Sequence, residues 1–140
     1  MREISDDAID VLLGTYSLAP SPNALAVFQQ VGAAIARVPL SDTAYACRDA
    51  LYDCFPIAIW DDPREDEANL SWVRSMWAAL RPFSTGGVYV NNLGEEGPDR
   101  VRDAYGSNYE RLVQLKNPYD PENIFSLNQN IRPTVIGRSG

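Results

Sequence analysis

The chain has 140 residues, of which 45% are hydrophobic, and it carries a formal net charge of −7. This length fits one domain with its own core, and no apolar run approaches the ~20 residues that cross a bilayer. The acidic balance disfavours nucleic acid and anionic membranes as partners, because proteins that bind either one present basic surfaces. The chain has no histidine, the commonest general base and zinc ligand, and we expect no metal site.

Two cysteines, Cys47 and Cys54, are predicted to be reduced thiols. Their odd separation would place them on opposite faces of a regular strand, so a disulfide would require a bulge or turn between them. Met1-Arg2-Glu3 is followed by acidic residues rather than by an apolar stretch, and no secretory signal is expected. These features together predict a cytoplasmic protein.

The first half of the chain mixes helix and strand signals. Ser5 is a candidate N-cap for a helix that runs to Tyr16. Four strands are predicted, over residues 23–29, 35–38, 43–47 and 51–60. Pro56 would place the last strand at an edge or a bulge, because proline has no N–H for a sheet. An ion pair is predicted among Arg48, Asp49 and Asp53.

The segment after Asp61 has a complete helix-start signal. Asp62 is the predicted N-cap, Pro63 occupies the first helical position, and Glu65 can close a capping box. Apolar residues then recur in steps of three and four, which predicts a buried stripe. The stripe comprises Leu70, Val73, Trp77 and Leu80, widened by Trp72 and Met76. Pro82 ends this helix.

The second half begins with a short β-prone run, residues 88–90. A helix is predicted from Pro98 to Gly106, a second capping box opens a helix at Ser107, and Asp120 before Pro121 caps a single turn. The whole pattern predicts an α+β fold in which helices cover one face of an antiparallel sheet. We expect one domain over residues 1–136 and a tail at 137–140.

Residues 86–133 carry a series of short motifs in a fixed order. They are YVN at 89–91, AYG at 104–106, NYERL at 108–112, YDPENIF at 119–125 and LNQNI at 127–131. This order resembles the C-terminal segment of the berberine bridge enzyme-like family of FAD-linked oxidases. The resemblance implies the later half of that family's substrate domain and FAD as cofactor. The family's flavin-binding domain is not found in the chain.

The resemblance also implies roles for particular residues. Tyr89 and Asn91 would lie on a strand that faces the flavin ring, with Asn91 as a polar contact. Asn92 stands where the family commonly has a catalytic tyrosine, and an amide cannot act as a base near neutral pH. Asn128, Gln129 and Asn130 match a tail that the family packs against its flavin domain.

Three functions remain open from the sequence. The first is a domain or small subunit of an FAD-linked oxidoreductase of secondary metabolism, docked on a separate flavin domain. The second is a cofactor-free cyclase or isomerase whose small-molecule pocket is lined by Tyr45, Tyr52, Tyr89, Asn91 and Asn92, with Asp53 as the acid-base group. The third is a non-catalytic module that closes its sheet by pairing two copies as a homodimer.

Overall fold

The structure, a computed structural model, describes residues 1–134, so the predicted tail at 137–140 lies outside the described residues. In chain order the helices and strands are α1 (Asp6–Tyr16), β1 (Leu25–Gln30), α2 (Ala34–Arg37), β2 (Tyr52–Ile57), α3 (Asp66–Leu80), α4 (Pro98–Tyr105) and α5 (Tyr109–Tyr119). The chain packs as two compact units. The sheet unit comprises residues 1–33 and 49–86, and the helical unit comprises residues 34–48 and the chain from Gly87 onward.

An antiparallel pair of strands forms the centre of the sheet unit. β1 and β2 pair from Leu25 opposite Ile57 to Gln30 opposite Tyr52. Met1 extends this pairing at the start of β2, because its amino group donates to the Tyr52 carbonyl at 2.8 Å and its own carbonyl accepts from the Tyr52 N–H at 3.0 Å. The predicted α+β class is confirmed, as are the strands predicted at 23–29 and 51–60.

Two helices pack with the sheet around a small core. α1 contacts α3, and α3 contacts β2. Met76 is completely buried at the centre of this core, beside Met1, Ala24, Trp72 and Leu80. The Trp72 indole N–H donates to the Thr15 carbonyl at 3.0 Å, which fixes the two helices against each other. The α1 helix was predicted correctly, and the Ser5 hydroxyl caps it by accepting from the Ala8 N–H.

The buried side of α3 differs from the predicted stripe. Leu70 and Trp77 are 42% and 45% exposed, whereas the residues that are buried are Asn69, Trp72, Met76 and Leu80. Apolar residues occur on more than one side of this helix, so periodicity alone leaves its rotation open. The indole hydrogen bond to α1 selects the Trp72 side. The Trp77 ring instead lies against Arg81, whose guanidinium carbon is 5.8 Å from the centroid of that ring.

Helix starts follow the predicted caps with local differences. The Asp62 carboxylate accepts from the Arg64 N–H at 2.9 Å, as its N-cap role requires, and Pro63–Glu65 forms a 3₁₀ turn before α3. α4 begins at Pro98, as predicted, and ends at Gly106, whose φ of +51° favours glycine. A 3₁₀ turn, Gly106–Asn108, replaces the predicted capping box at the start of α5.

Three predicted strands are wrong, and all three fall in the helical unit. Residues 35–38 lie largely in the short helix α2, residues 43–47 form no regular element, and residues 88–90 lead into a 3₁₀ turn, Val90–Asn92. A strand needs a neighbour for its backbone groups, and the described part of this unit supplies none. Turn hydrogen bonds satisfy the backbone instead, such as Asn92 N–H to the Tyr89 carbonyl at 2.8 Å.

Candidate functional site

Two tyrosines and an asparagine meet in the helical unit. The rings of Tyr45 and Tyr89 contact edge to face, with centroids 6.0 Å apart and an interplanar angle of 70°. The Asn91 side-chain amide donates to the Tyr89 hydroxyl at 2.8 Å. Tyr89 is 39% exposed and Asn91 is exposed, so a ligand could reach both side chains. We call Tyr45, Tyr89 and Asn91 the tyrosine cluster.

The Cys47 side chain contacts the backbone just before Tyr89. The Cys47 thiol lies 3.6 Å from the Val88 carbonyl oxygen. A Cβ atom added at Gly87 would stand only 2.8 Å from the Cys47 sulfur. Glycine at 87 therefore leaves room for the Cys47 side chain, and the two segments that meet here also carry Tyr45 and Tyr89.

Arg48 supports the cluster from behind. Its guanidinium carbon lies 5.0 Å from the centre of the Tyr45 ring, a cation–π contact. The same group donates to the Ile35 carbonyl at 2.9 Å and to the Thr43 hydroxyl. The predicted ion pair with Asp49 is wrong, because Asp49 pairs with Arg2 at 2.6 Å.

The remaining predicted site residues are divided between the two units. Asn92 is exposed at the end of the Val90–Asn92 turn, so Tyr89, Asn91 and Asn92 do not lie on the strand that the resemblance implied. Tyr52 and Asp53 lie on β2 in the sheet unit. Tyr52 packs against the core of that unit, and Asp53 stands opposite Gln29. A catalytic role for Asn92 or Asp53 remains a prediction.

Both cysteines are thiols without a disulfide, as predicted. Burial, and to a smaller extent the negative charge of Asp53, raise the pKa of the Cys54 thiol to about 11. Because the thiolate is the nucleophilic form, Cys54 is unreactive near neutral pH. This residue therefore belongs to the packing of the sheet unit rather than to a reactive site.

A buried ion pair organises the turn after α5. The Lys116 ammonium group donates to Asp120 and also to the Phe125 carbonyl, the latter at 2.7 Å. The Asp120 carboxylate accepts from the Ile124 and Phe125 N–H groups at 2.7 and 3.1 Å, which confirms its predicted role as a cap. The lysine hydrogen bond lowers the pKa of Asp120. We call Lys116 and Asp120 the clamp.

The clamp holds a stretch of chain with unusually exposed apolar side chains. Leu127, Tyr119 and Phe125 are 88%, 82% and 79% exposed, the three highest values for large apolar residues within 1–134. Ile124, between them, is 72% exposed. We call Tyr119, Ile124, Phe125 and Leu127 the apolar segment. The sequence did not predict this exposure, because these residues were interpreted as parts of the family motifs and of a capped turn.

The polar tail that follows makes contacts within its own unit. The Gln129 side-chain amide donates to the carbonyls of Leu93 and Gly94 at 2.8 and 3.2 Å. The Asn130 N–H donates to the Asn128 carbonyl at 3.0 Å, and the side-chain oxygen of Asn130 is buried. The contact of these three residues with a flavin domain remains a prediction.

Residues 1–134 contain no group of three or more histidine, cysteine, aspartate or glutamate side chains that could hold a metal ion. In the same residues no helix is both long and apolar enough to cross a membrane.

Comparisons with known proteins identify relatives for almost the whole chain. Residues 88–132 match the family model described as Berberine and berberine like. The FAD-linked oxidoreductase YgaK of Bacillus subtilis is 35% identical over 132 residues, covering 94% of this chain and 29% of YgaK. The aclacinomycin-N/aclacinomycin-A oxidase of Streptomyces galilaeus is 31% identical over 121 residues, covering 73% of this chain and 22% of that protein.

Solved structures agree with this relationship. The chain superposes on BBE-like 1 of Physcomitrella patens with a TM-score of 0.74 and 25% identity, covering 95% of this chain and 27% of that structure. The chain thus spans less than a third of the length of the curated relatives that it matches.

Proposed function

Because the chain belongs to the berberine bridge enzyme-like family, we propose that it forms the substrate-facing part of an FAD-linked oxidoreductase that acts on a small molecule. YgaK is named as an FAD-linked oxidoreductase, and both relatives are more than three times longer than the segment that this chain matches. We assign FAD binding to the part of the enzyme that this chain does not span. That part is either a separate polypeptide or further residues of a longer one.

The observation that carries the proposal is the hydrogen bond of Asn91 to the Tyr89 hydroxyl beside the Tyr45 ring. A phenol whose hydroxyl accepts one hydrogen bond still has its own proton to donate. Tyr89 can therefore donate to an oxygen atom of a substrate, while Asn91 fixes the direction of that hydroxyl. The Tyr45 ring, held by Arg48, supplies an apolar face beside it.

The side chains of the cluster also suit one edge of a flat heterocycle. Aromatic rings and an amide can contact the ring system of FAD, whereas the cluster has no spare cation for a diphosphate, because Arg48 is engaged with Ile35 and Thr43. The chain's residues therefore fit the ring end of the cofactor and not its phosphate end. FAD, when bound, supplies a two-electron acceptor for the substrate.

The substrate class follows from the side chains and from one relative. The relative from Streptomyces is named as an oxidase of aclacinomycin. Tyr89 and Asn91 are neutral polar groups, which suit a neutral hydroxylated compound better than a strongly charged one. We propose a hydroxylated secondary metabolite as the substrate, with Asn92 as a further polar contact rather than a base.

The test is a reconstitution with a flavin-binding partner. The Bacillus relative, with its own matching segment deleted, is purified with FAD and mixed with this chain and aclacinomycin without oxygen. Loss of the oxidised flavin absorbance that depends on both chain and substrate supports the proposal. Tyr89→Phe should slow this reduction about tenfold by removing one hydrogen bond to the substrate. Tyr109→Phe, the same change outside the cluster and on the first residue of α5, should leave it unchanged.

Two results would favour the other functions. Conversion of substrate by this chain without flavin would indicate a cofactor-free enzyme. A dimer of the chain that neither binds the flavoprotein nor converts any substrate would indicate a binding module.

A further inference from the structure

The segment that carries Tyr45 has no regular structure of its own. Residues 43–47 form neither helix nor strand, and Thr43 is exposed while Tyr45 is half-buried. Such a segment lacks the hydrogen-bond ladder of a helix or sheet, so it depends on contacts with other elements for its order. The position of the Tyr45 ring therefore depends on the hydrogen bonds made around residue 43.

The backbone at Thr43 is held from the start of α5. The Asn108 side-chain amide donates to the Leu40 carbonyl at 2.9 Å and to the Thr43 carbonyl at 3.1 Å. Asn108 is only 7% exposed and lies in the 3₁₀ turn, Gly106–Asn108, that precedes α5. A buried amide with two backbone partners is costly to leave unpaired, so it fixes this end of the segment.

The Thr43 hydroxyl contacts the surroundings of the Tyr45 ring in two ways. It accepts a hydrogen bond from the Tyr45 backbone N–H at 3.3 Å, a turn that threonine side chains often form. It also accepts one from the Arg48 guanidinium, whose carbon lies 5.0 Å from the centroid of the Tyr45 ring. The Arg48 Nε atom is buried and has no hydrogen-bond partner within residues 1–134, so the guanidinium is held by the Ile35 carbonyl and by Thr43. One hydroxyl thus holds both the backbone of Tyr45 and the cation that lies on its ring.

We propose that Thr43 is a positioning residue for the substrate, because its hydroxyl orients the Tyr45 ring that a bound substrate contacts. This inference rests on the proposed function, in which the Tyr45 ring supplies an apolar face beside Tyr89. A side chain that is held in its binding orientation before the substrate arrives loses less entropy on binding. Thr43 therefore acts on the affinity for the substrate, whereas the Tyr89 hydroxyl acts on the reaction.

The experiment uses the mixture of this chain, aclacinomycin and the Bacillus relative that lacks its matching segment and retains FAD. The rate of flavin reduction without oxygen, measured over a range of aclacinomycin concentrations, gives the half-saturating concentration and the limiting rate. Thr43→Val removes the hydroxyl and keeps the shape of the side chain. It should raise the half-saturating concentration about three- to tenfold and change the limiting rate by less than about twofold. Thr43→Ser keeps the hydroxyl and should retain the original affinity.

A double-mutant comparison distinguishes positioning from direct contact with the substrate. Tyr45→Leu should also raise the half-saturating concentration. Adding Thr43→Val to Tyr45→Leu should change it by less than about twofold, because the ring that the hydroxyl orients is gone. A full additional effect would mean that Thr43 acts without Tyr45 and would overturn the inference. Thr15→Val is the matched control, since the Thr15 hydroxyl donates to the Val11 carbonyl at 2.8 Å within α1, and it should change neither parameter.

The outcomes separate this inference from the proposed function. If the unaltered chain supports flavin reduction but Thr43→Val binds aclacinomycin as well as Thr15→Val does, only the inference fails. It also fails if Thr43→Ser loses as much affinity as Thr43→Val. If the unaltered chain supports no reduction that depends on the substrate, both fail.

A second measurement covers the case in which the shortened relative loses FAD, because it uses this chain alone. The contact between the Tyr45 and Tyr89 rings should contribute to the near-ultraviolet circular dichroism of the chain. Thr43→Val should change this signal, and Thr43→Ser and Thr15→Val should not. In the Tyr45→Leu variant, Thr43→Val should have no further effect on the spectrum. An unchanged spectrum for Thr43→Val would show that Tyr45 keeps its orientation without the hydroxyl, and would contradict the inference.

Discussion

The sheet unit and the helical unit stabilise themselves in different ways. The sheet unit buries Trp72 and Met76 among two strands and two helices and carries the whole net negative charge. The helical unit is neutral, is held together by specific polar contacts such as the clamp, and exposes the apolar segment. The difference is that the sheet unit buries several large apolar side chains in one core, whereas the helical unit leaves several of its own exposed.

Met76→Ala should have the largest effect, because Met76 is completely buried in the core of the sheet unit. Loss of its side chain leaves a cavity and should lower the free energy of unfolding by about 2–5 kcal/mol, as measured by urea denaturation. Leu18→Ala, in the same unit but exposed, is the control and should change it little. Equal losses would mean that the sheet unit has no tightly packed core.

Gly87→Ala should have an intermediate effect on the helical unit. The added Cβ would stand 2.8 Å from the Cys47 sulfur, and relieving that overlap should cost about 1–3 kcal/mol of folding free energy. Because the Cys47 thiol also contacts the Val88 carbonyl, we expect the backbone of both segments to move and to shift Tyr45 relative to Tyr89, which we would detect as a change in near-ultraviolet circular dichroism. Gly94→Ala is the control, since an added Cβ there meets nothing within 4 Å. An unchanged spectrum for Gly87→Ala would contradict the close approach.

Acid should loosen the helical unit through Asp120. The hydrogen bond from Lys116 lowers the pKa of Asp120 in the folded state below its ordinary value of 3.8. Its contribution to stability is therefore complete above pH 3.8 and disappears as the pH falls through the lowered value. The Ile124 and Phe125 amide hydrogens, which are bonded to Asp120, should therefore lose their protection from exchange as the pH falls through this range. In Asp120→Asn, the exchange rate of these two amides should follow only the intrinsic pH dependence of amide exchange, because no carboxylate is left to titrate.

The sequence predicted the structure best at helix and turn ends, where one local interaction determines it. Ser5 and Asp62 cap their helices, Gly106 ends α4, and Asp120 caps its turn, because each role depends on neighbours only a few residues away. The rotation of α3 could not be predicted, since it depends on a hydrogen bond from Trp72 to a residue on α1. The false strands at 35–38 and 88–90 have strand-forming residues but no neighbouring strand.

The candidate site was predicted only in part, because its residues meet through contacts between distant parts of the sequence. The motif resemblance named Tyr89 and Asn91, and Tyr45 was named as a pocket residue. Their contact joins two segments that are distant in sequence and that also meet at Gly87 and Cys47. The support of Tyr45 by Arg48 and the exposure of the apolar segment require the folded coordinates. A sequence pattern identifies apolar residues, but it does not show which of them the fold leaves uncovered.

The measurement that tests the central claim most directly is the visible spectrum of flavin in the mixture of this chain, the shortened Bacillus flavoprotein and aclacinomycin, recorded without oxygen. We predict bleaching of the oxidised flavin that requires this chain and that Tyr89→Phe slows. Flavin that stays oxidised with the chain bound, or that bleaches equally fast without the chain, would contradict its role as the substrate-facing part of the enzyme.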